Sequence, residues 1–371
     1  MRGFKGYAWV RFRVVRKRSA PGEKSLSGVA NASLGFYTVW VVHLGRRYGI
    51  IPYLSRRKRP AGVRAIARAC GLHEPAVRVW CESARSLRLI DCAGDGYRLR
   101  AAHRALLVDT DDVRFLGGQF SYLALRSLDF EAFDALFRRG RVAASGSHHL
   151  REASEEATRW DHTSFLKFLL PQVPRLITRF RRGARALDVG CGTGGWALRM
   201  AHEFPKSSFL GIDPDRTAIR IARNKQRTGG GRVRFRVGSG GERIREPAPL
   251  DLAYLGEVLY HVKDKLRLLR NVRTALARDG VLVLAEGLVT PPGKVADPVP
   301  NLVEPMGLDF ALQGARFFER SELEALLGEA GFHRVRFHDA GGGLWFVVAV
   351  PRLMEGFSER GGAARRARGD R

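Results

Sequence analysis

The chain predicts a doubly wound α/β sheet of seven strands with an antiparallel final strand, preceded by a winged-helix-like domain and a helical region. Three observations predict it. From residue 184 onward, short apolar runs alternate with longer amphipathic ones, as in a parallel sheet with crossover helices. The glycine-rich "DVGCGTGG" (188–195) follows the first of these runs and opens the first helix. The last two runs, "HRVRFHDA" and "LWFVVAV", are joined by "GGG" with no helix between them, so they pair antiparallel.

Taken in order, the chain begins with a basic stretch whose apolar run is broken by Arg11, Arg13 and Arg16, a poor signal peptide. Residues 1–27 read as a disordered arm. In the winged-helix-like segment, 28–105, the spacing of Phe36, Val39, Val42 and Leu44 predicts a helix with one buried face. "AGVRAIARACG" (61–71) and "LHEPAVRVWCESARSLRLI" (72–90) read as two helices about a turn at Gly71. "LRLIDCAGDGYRLR" reads as two strands around an Asp-Gly turn. Residues 106–180 read as helices forming a linker and substrate cap, interrupted by Pro171 and Pro174. The sheet occupies 181–351. Its late helix "SELEALLGEAG" carries Ser321 and Glu324 at capping-box spacing. Residues 352–371 read as a disordered basic tail.

A formal charge of +27 keeps nucleic acid in view as a partner. The four cysteines, at 70, 81, 92 and 191, form no C-x-x-C pair, which argues against a disulfide scaffold or zinc site. His148, His149, Asp161 and His162 follow no metal-ligand motif, and no metal is expected. The cysteine usage fits a cytoplasmic location, and with no apolar run of membrane-spanning length no membrane association is expected.

The glycine loop reads two ways. Gly190, Gly192 and Gly195 satisfy G-x-G-x-x-G, the dinucleotide pattern. Asp188, however, stands two residues before Gly190, where a carboxylate would repel a pyrophosphate. It suits a cationic ligand, and S-adenosylmethionine offers a sulfonium and an ammonium. Asp213, ending the second strand, supplies an acid for ribose hydroxyls in either case. The antiparallel strand pair and the absence of a second mononucleotide-binding half favour S-adenosylmethionine as cofactor.

"ARALDVGCGTGGWALRMAHEFPKSSFLGIDPD", "PLDLAYLGEVLYHVKD" and "LARDGVLVLAEG" resemble the motifs of class I S-adenosylmethionine-dependent methyltransferases. With its preceding segments, the chain is similar to small-molecule O-methyltransferases. The resemblance implies a seven-stranded Rossmann-like sheet. It places Asp188, Gly190, Gly192 and Gly194 around the cofactor and Asp213 on its ribose. Where that family often has an acid after the third strand, this chain has Ser239, assigned to the adenine.

Methyl transfer to a hydroxyl needs alignment and a route for the proton. In the O-methyltransferase family a His after the fourth strand is the base, which implies His261, with Asp264 the following acid. Glu257 at the strand end is a second catalytic candidate. Trp160, His162, Tyr260, Met306 and Phe310 are the expected substrate wall, and the apolar or aromatic Met306, Phe310 and Phe317 favour an uncharged or aromatic substrate over a free nucleotide. In the resembling enzymes the winged-helix-like module dimerises, so a homodimer is expected. "AIARACGLHEPAVRVW" also resembles a helix-turn-helix, which sustains nucleic-acid methylation as the rival function. A non-catalytic cofactor-binding regulator is the third reading. The stretch "GEVLY" lacks the proline pair of many amino-group methyltransferases of nucleic acids.

Overall fold

The computed structural model describes residues 21–142, 147–228, 232–244, 246, 248–289 and 303–351. The expected tail, and the expected arm through residue 20, lie outside the described residues. The chain divides into two compact units, Met1–Arg100 and Ala101–Arg371.

The first unit carries helices α1 (Pro21–Arg47), α2 (Ile50–Arg56), α3 (Val63–Cys70) and α4 (Glu74–Ser86), then a hairpin of β1 (Ile90–Ala93) and β2 (Gly96–Leu99). Helix α3 ends on Gly71 in the left-handed region, as the sequence predicts. Ala61 and Tyr97 exchange backbone hydrogen bonds of 2.9 Å, adding a third short bridge beside the hairpin. The turn differs from the expected Asp-Gly. Ala93 pairs with Gly96, so the turn residues are Gly94 and Asp95. Gly96 belongs to the strand, where a Cβ would meet the Ala61 backbone at 2.9 Å. The single buried face expected for residues 36–44 also needs correction: Val42 is buried, but Phe36 is 56 % exposed. Packing of α1 is concentrated near its end, where Trp80 Nε1 donates to the Val41 carbonyl at 2.9 Å.

The second unit opens with α5 (Ala101–Leu107), α6 (Gly117–Ser127), α7 (Phe133–Arg139) and α8 (His148–Ser164). Helix α8 is capped by Ser147, whose side chain accepts from the Leu150 N–H. It continues through a π turn (Phe165–Leu169) into α9 (Leu170–Gln172). The chain then breaks at Val173, whose φ of −125° suits a residue preceding proline, and resumes in α10 (Pro174–Arg182). The expected interruption thus falls at Pro174, while the helix runs on through Pro171. Helices α6 and α8 approach so closely that a Cβ at Gly118 would collide with the Glu156 carbonyl oxygen.

The sheet follows as β3 (Arg185–Val189), α11 (Gly195–Glu203), β4 (Ser208–Asp213), α12 (Arg216–Thr228), β5 (Arg232–Val237), β6 (Leu250–Gly256), α13 (Lys265–Ala275), β7 (Leu276–Val289), α14 (Val303–Leu312), β8 (Phe318–Glu319), α15 (Arg320–Glu329), β9 (His333–Gly341) and β10 (Leu344–Val350). Seven strands run in the order β5-β4-β3-β6-β7-β10-β9, and the two-residue β8 pairs with the end of β7. Strand β10 is antiparallel to both its neighbours. The predicted seven-stranded sheet is therefore present, with β8 as an addition.

Composition explains each strand's place. Central β3 is buried along nearly its whole length, as a strand covered by helices on both faces must be. At the edge, β5 alternates: Val233 and Phe235 are buried while Arg232, Arg234 and Arg236 face water. Under the helices, Trp196 stacks on Tyr254 with centroids 4.4 Å apart, and Phe165 of the π turn stands edge-on to both. The expected capping box is absent. Because β8 holds Phe318 and Glu319 against β7, α15 starts at Arg320 with Glu319 as its N-cap, and Ser321 falls inside the first turn.

Candidate active site

Strand order reverses between β3 and β6, and a crevice opens outside the carboxyl ends of those strands. A cavity of about 890 Å³ fills it. Its floor is the strand ends and the glycine loop, its far side includes α14, and its cap includes α6 and α8.

The glycine loop is tied down from below. Gly190 and Cys191 donate their N–H groups to the Ile212 carbonyl, at 2.8 and 3.1 Å. Asp213 accepts from the Gly192 N–H at 2.9 Å with one oxygen and from the Asp215 N–H at 2.8 Å with the other. Gly192 has a φ of 51°, and a Cβ there would meet nothing within 4 Å, so the loop presents bare backbone to the cavity. Gly194 acts differently. It caps α11 at φ 82°, and a Cβ would strike the Phe235 ring at 2.5 Å. It packs against the sheet rather than lining the cavity.

Asp188 is 3 % exposed, lines the cavity, and leaves its Oδ2 without a hydrogen-bond partner. Burial, reinforced by nearby Asp213, pushes its carboxyl up to about 8. Burial likewise raises Asp213, against the lowering pull of its backbone donors. A buried orphaned carboxylate oxygen beside an open glycine backbone fits S-adenosylmethionine: the acid meets positive charge and Asp213 stands ready for ribose hydroxyls. Ser239 is exposed and outside the cavity lining; its hydroxyl accepts from the Gly241 N–H. The structure gives it no cavity-facing role.

The other side of the cavity is acidic and aromatic. Glu257 adopts φ 58°, a left-handed conformation uncommon for a residue with a Cβ. The Tyr260 hydroxyl donates to its carboxylate. Burial raises Glu257 and, with repulsion from Glu257, raises Asp161. His261 stacks on Phe310 at 5.7 Å, and Phe310 meets Phe317 at 4.0 Å. Burial, partly offset by Asp309, lowers the His261 imidazole to about 4, which keeps it neutral and able to accept a proton near pH 7. Asp264, expected as a following acid, instead caps α13 by accepting from the Arg267 N–H.

Trp160, His162, Tyr260, Met306 and Phe310 all line the cavity. Trp160 is anchored by donation from its Nε1 to the Val113 carbonyl. The sequence did not reveal three supporting residues. Tyr122 lines the cavity, and its hydroxyl donates to Asp309 at 2.5 Å. Buried Arg126 grips the same carboxylate through Nε and Nη2, at 2.9 and 2.6 Å. Glu286, fully buried beneath Glu257, accepts from the Leu259 N–H at 2.9 Å. No local spacing links residues 187 positions apart such as Tyr122 and Asp309. Among the described residues, no group of three His, Cys, Asp or Glu is placed to hold a metal ion.

Residues 160–336 match the family model described as a methyltransferase domain. The chain is 36 % identical over 159 residues to mouse acetylserotonin O-methyltransferase, an alignment covering 40 % of this chain and 39 % of that protein. It is 29 % identical over 112 residues to demethylmenaquinone methyltransferase of Bacillus subtilis, covering 30 % of this chain and 48 % of that one. The chain thus spans less than half the length of either curated relative. Two solved structures extend the likeness in fold along the chain. Human N-acetylserotonin methyltransferase, solved with S-adenosylmethionine, aligns at TM-score 0.64 and 19 % identity over 91 % of this chain and 99 % of its own. The mitomycin 7-O-methyltransferase MmcR aligns at TM-score 0.60 and 19 % identity over 89 % and 98 %. Residues 160–336 thus match the methyltransferase domain family, and the chain shares the fold of these two solved methyltransferases.

Proposed function

We propose that the protein transfers a methyl group from S-adenosylmethionine to a hydroxyl oxygen of a small apolar or aromatic acceptor. The single observation that carries this reading is one cavity lined both by the Asp188–Gly192–Asp213 cradle and by the His261–Phe310 wall. Bound there, the cofactor supplies a methyl on a positively charged sulfur. Asp188 balances that charge, Gly192 leaves room for close approach, and Asp213 accepts from ribose hydroxyls. Met306, Phe310 and Phe317 exclude water and hold the acceptor's apolar body. His261 takes the hydroxyl proton on its neutral imidazole, while Tyr260 fixes the Glu257 carboxylate beside it. Alignment and proton removal are the two tasks that methyl transfer to oxygen asks of a protein.

The curated acetylserotonin methyltransferase and the mitomycin 7-O-methyltransferase both carry O-methyl transfer in their names, which supports oxygen as the acceptor atom. We read the N-terminal unit as a homodimer surface, on the exposed Val29, Leu34, Phe36 and Tyr37 of α1. No helix among the described residues is long and apolar enough to cross a membrane, and a cytoplasmic site of action is our reading. The decisive experiment is a methyl-transfer screen of phenols, acids and amines beside total RNA, with labelled S-adenosylmethionine. Product on a small hydroxylated molecule supports the proposal. Label on RNA alone, with tight and salt-sensitive RNA binding, would overturn it.

A further inference from the structure

Charge in the cavity is unevenly matched. Three arginines line it, and each is drawn onto an acid: Arg151 onto Asp215 at 3.0 Å, Arg159 onto Glu156 at 3.2 Å and Arg199 onto Asp111 at 2.6 Å. Six acids line it; Asp215 is held by Arg151 and Glu155 by Lys225, and the other four fall into two pairs. Asp188 and Asp213 flank the glycine loop and suffice for the cofactor. Asp161 and Glu257 form the second pair, one from the last turn of α8 and the other from the end of β6. Among the described residues no Lys or Arg forms an ion pair with either. Asp161 is 7 % exposed, lines the cavity, and its carboxylate makes no hydrogen bond among the described residues. Glu257 lines the cavity from a left-handed backbone, and it has one donor, the Tyr260 hydroxyl.

A carboxylate held in a cavity with no counter-charge is costly, and two of them more so. A neutral acceptor would leave both unmatched, and an anionic one would add a third negative charge. A protonated amine brings one positive charge and three N–H donors, enough to serve both. We propose that the methyl acceptor carries a protonated amine seated between Asp161 and Glu257, with its apolar body against the Phe310 wall. This deepens, and rests on, the reading of the cavity as a methyl-transfer site.

Three para-substituted phenols of similar shape test it: tyramine (cationic), 4-ethylphenol (neutral) and 4-hydroxyphenylacetate (anionic). Each is titrated calorimetrically into the full chain saturated with S-adenosylhomocysteine, so no turnover is required. Tyramine is expected to bind about tenfold or more tighter than 4-ethylphenol, and the anion weakest of the three. Asp161→Asn should erase the preference for the amine while S-adenosylhomocysteine affinity stays within about twofold of wild type. Glu257→Gln should erase the same preference, which guards against a folding defect in one variant. No excess binding of tyramine over 4-ethylphenol at any soluble concentration overturns the proposal. So does an Asp161→Asn variant that keeps the preference and instead loses S-adenosylhomocysteine affinity. Failure of the wild-type chain to bind S-adenosylhomocysteine would remove the methyl-transfer reading itself, and is seen before any phenol is added.

Discussion

Tyr122 and Asp309 meet across the cavity wall, hydroxyl to carboxylate at 2.5 Å, with buried Arg126 closing on the same carboxylate. This junction fastens cap helix α6 to α14. Asp309→Ala would leave buried Arg126 with Asp129 as its remaining counter-charge, and is expected to lower unfolding free energy by about 3 kcal/mol. Tyr122→Phe removes a donor from a carboxylate that Arg126 still satisfies, so about 1–2 kcal/mol is expected. Denaturant titration of the two variants should rank them in that order; equal losses would mean that Arg126 finds its charge balance elsewhere.

Asp213 does two jobs in the same place. It holds the Gly192 N–H and offers oxygen to the cofactor's ribose. Asp213→Ala should weaken S-adenosylhomocysteine binding by about 2–3 kcal/mol, on the order of 30- to 150-fold. Calorimetric titration reads this directly, and near-unchanged affinity would refute the assignment.

The Asp188 carboxyl predicts a pH dependence with a definite sign. Its folded value of about 8 lies above the ordinary 3.8, so between those values the folded chain binds more protons than the unfolded one. Its contribution to stability is then greatest near pH 4, falls as pH rises toward 8, and is level above. Asp188→Asn abolishes this slope. Melting of the ligand-free proteins should show the variant gaining on wild type as pH rises from 5 to about 8, while its affinity for S-adenosylmethionine drops. A variant whose advantage shrinks with rising pH would contradict this placement of the charge.

His261→Ala is expected to cut turnover by about 10²- to 10⁴-fold once an acceptor is in hand, with S-adenosylhomocysteine affinity retained. Because burial holds the imidazole at about 4, the wild-type rate should not lose this base until pH approaches that value. Rate measurements from pH 5 to 9 alongside binding check both parts.

Much of this was written locally in the chain. The glycine loop, Asp188 and Asp213 lie within one strand–helix–strand unit, so their spacing reported their meeting, and the period of apolar residues marked every strand from β3 to β10 except the two-residue β8. Residues that need only local order, such as Gly71 and Pro174, behaved as expected. Local reading failed where a distant partner decides. Ser321 has the spacing of a cap, but β8 pairing fixes the helix start before it. Asp264 follows His261 in sequence, but the α13 amides claim it. Ser239 stands at the expected end of a strand, yet the loop after β5 leaves it in water. Tyr122, Arg126 and Asp309 form their junction through packing of helices far apart in sequence, which no short pattern encodes.

The antiparallel entry of β10 also decides which way the protein can be handled. Leu344 pairs with Gly287 at the carboxyl edge, beside the cavity, while Ala349 pairs with Leu282 toward the opposite edge. Val350 and Pro351 therefore leave the sheet on the side away from the acceptor. Had this strand run parallel, the same residues would have pointed at the mouth of the cavity, and any attachment placed after them would have begun in the path of the substrate.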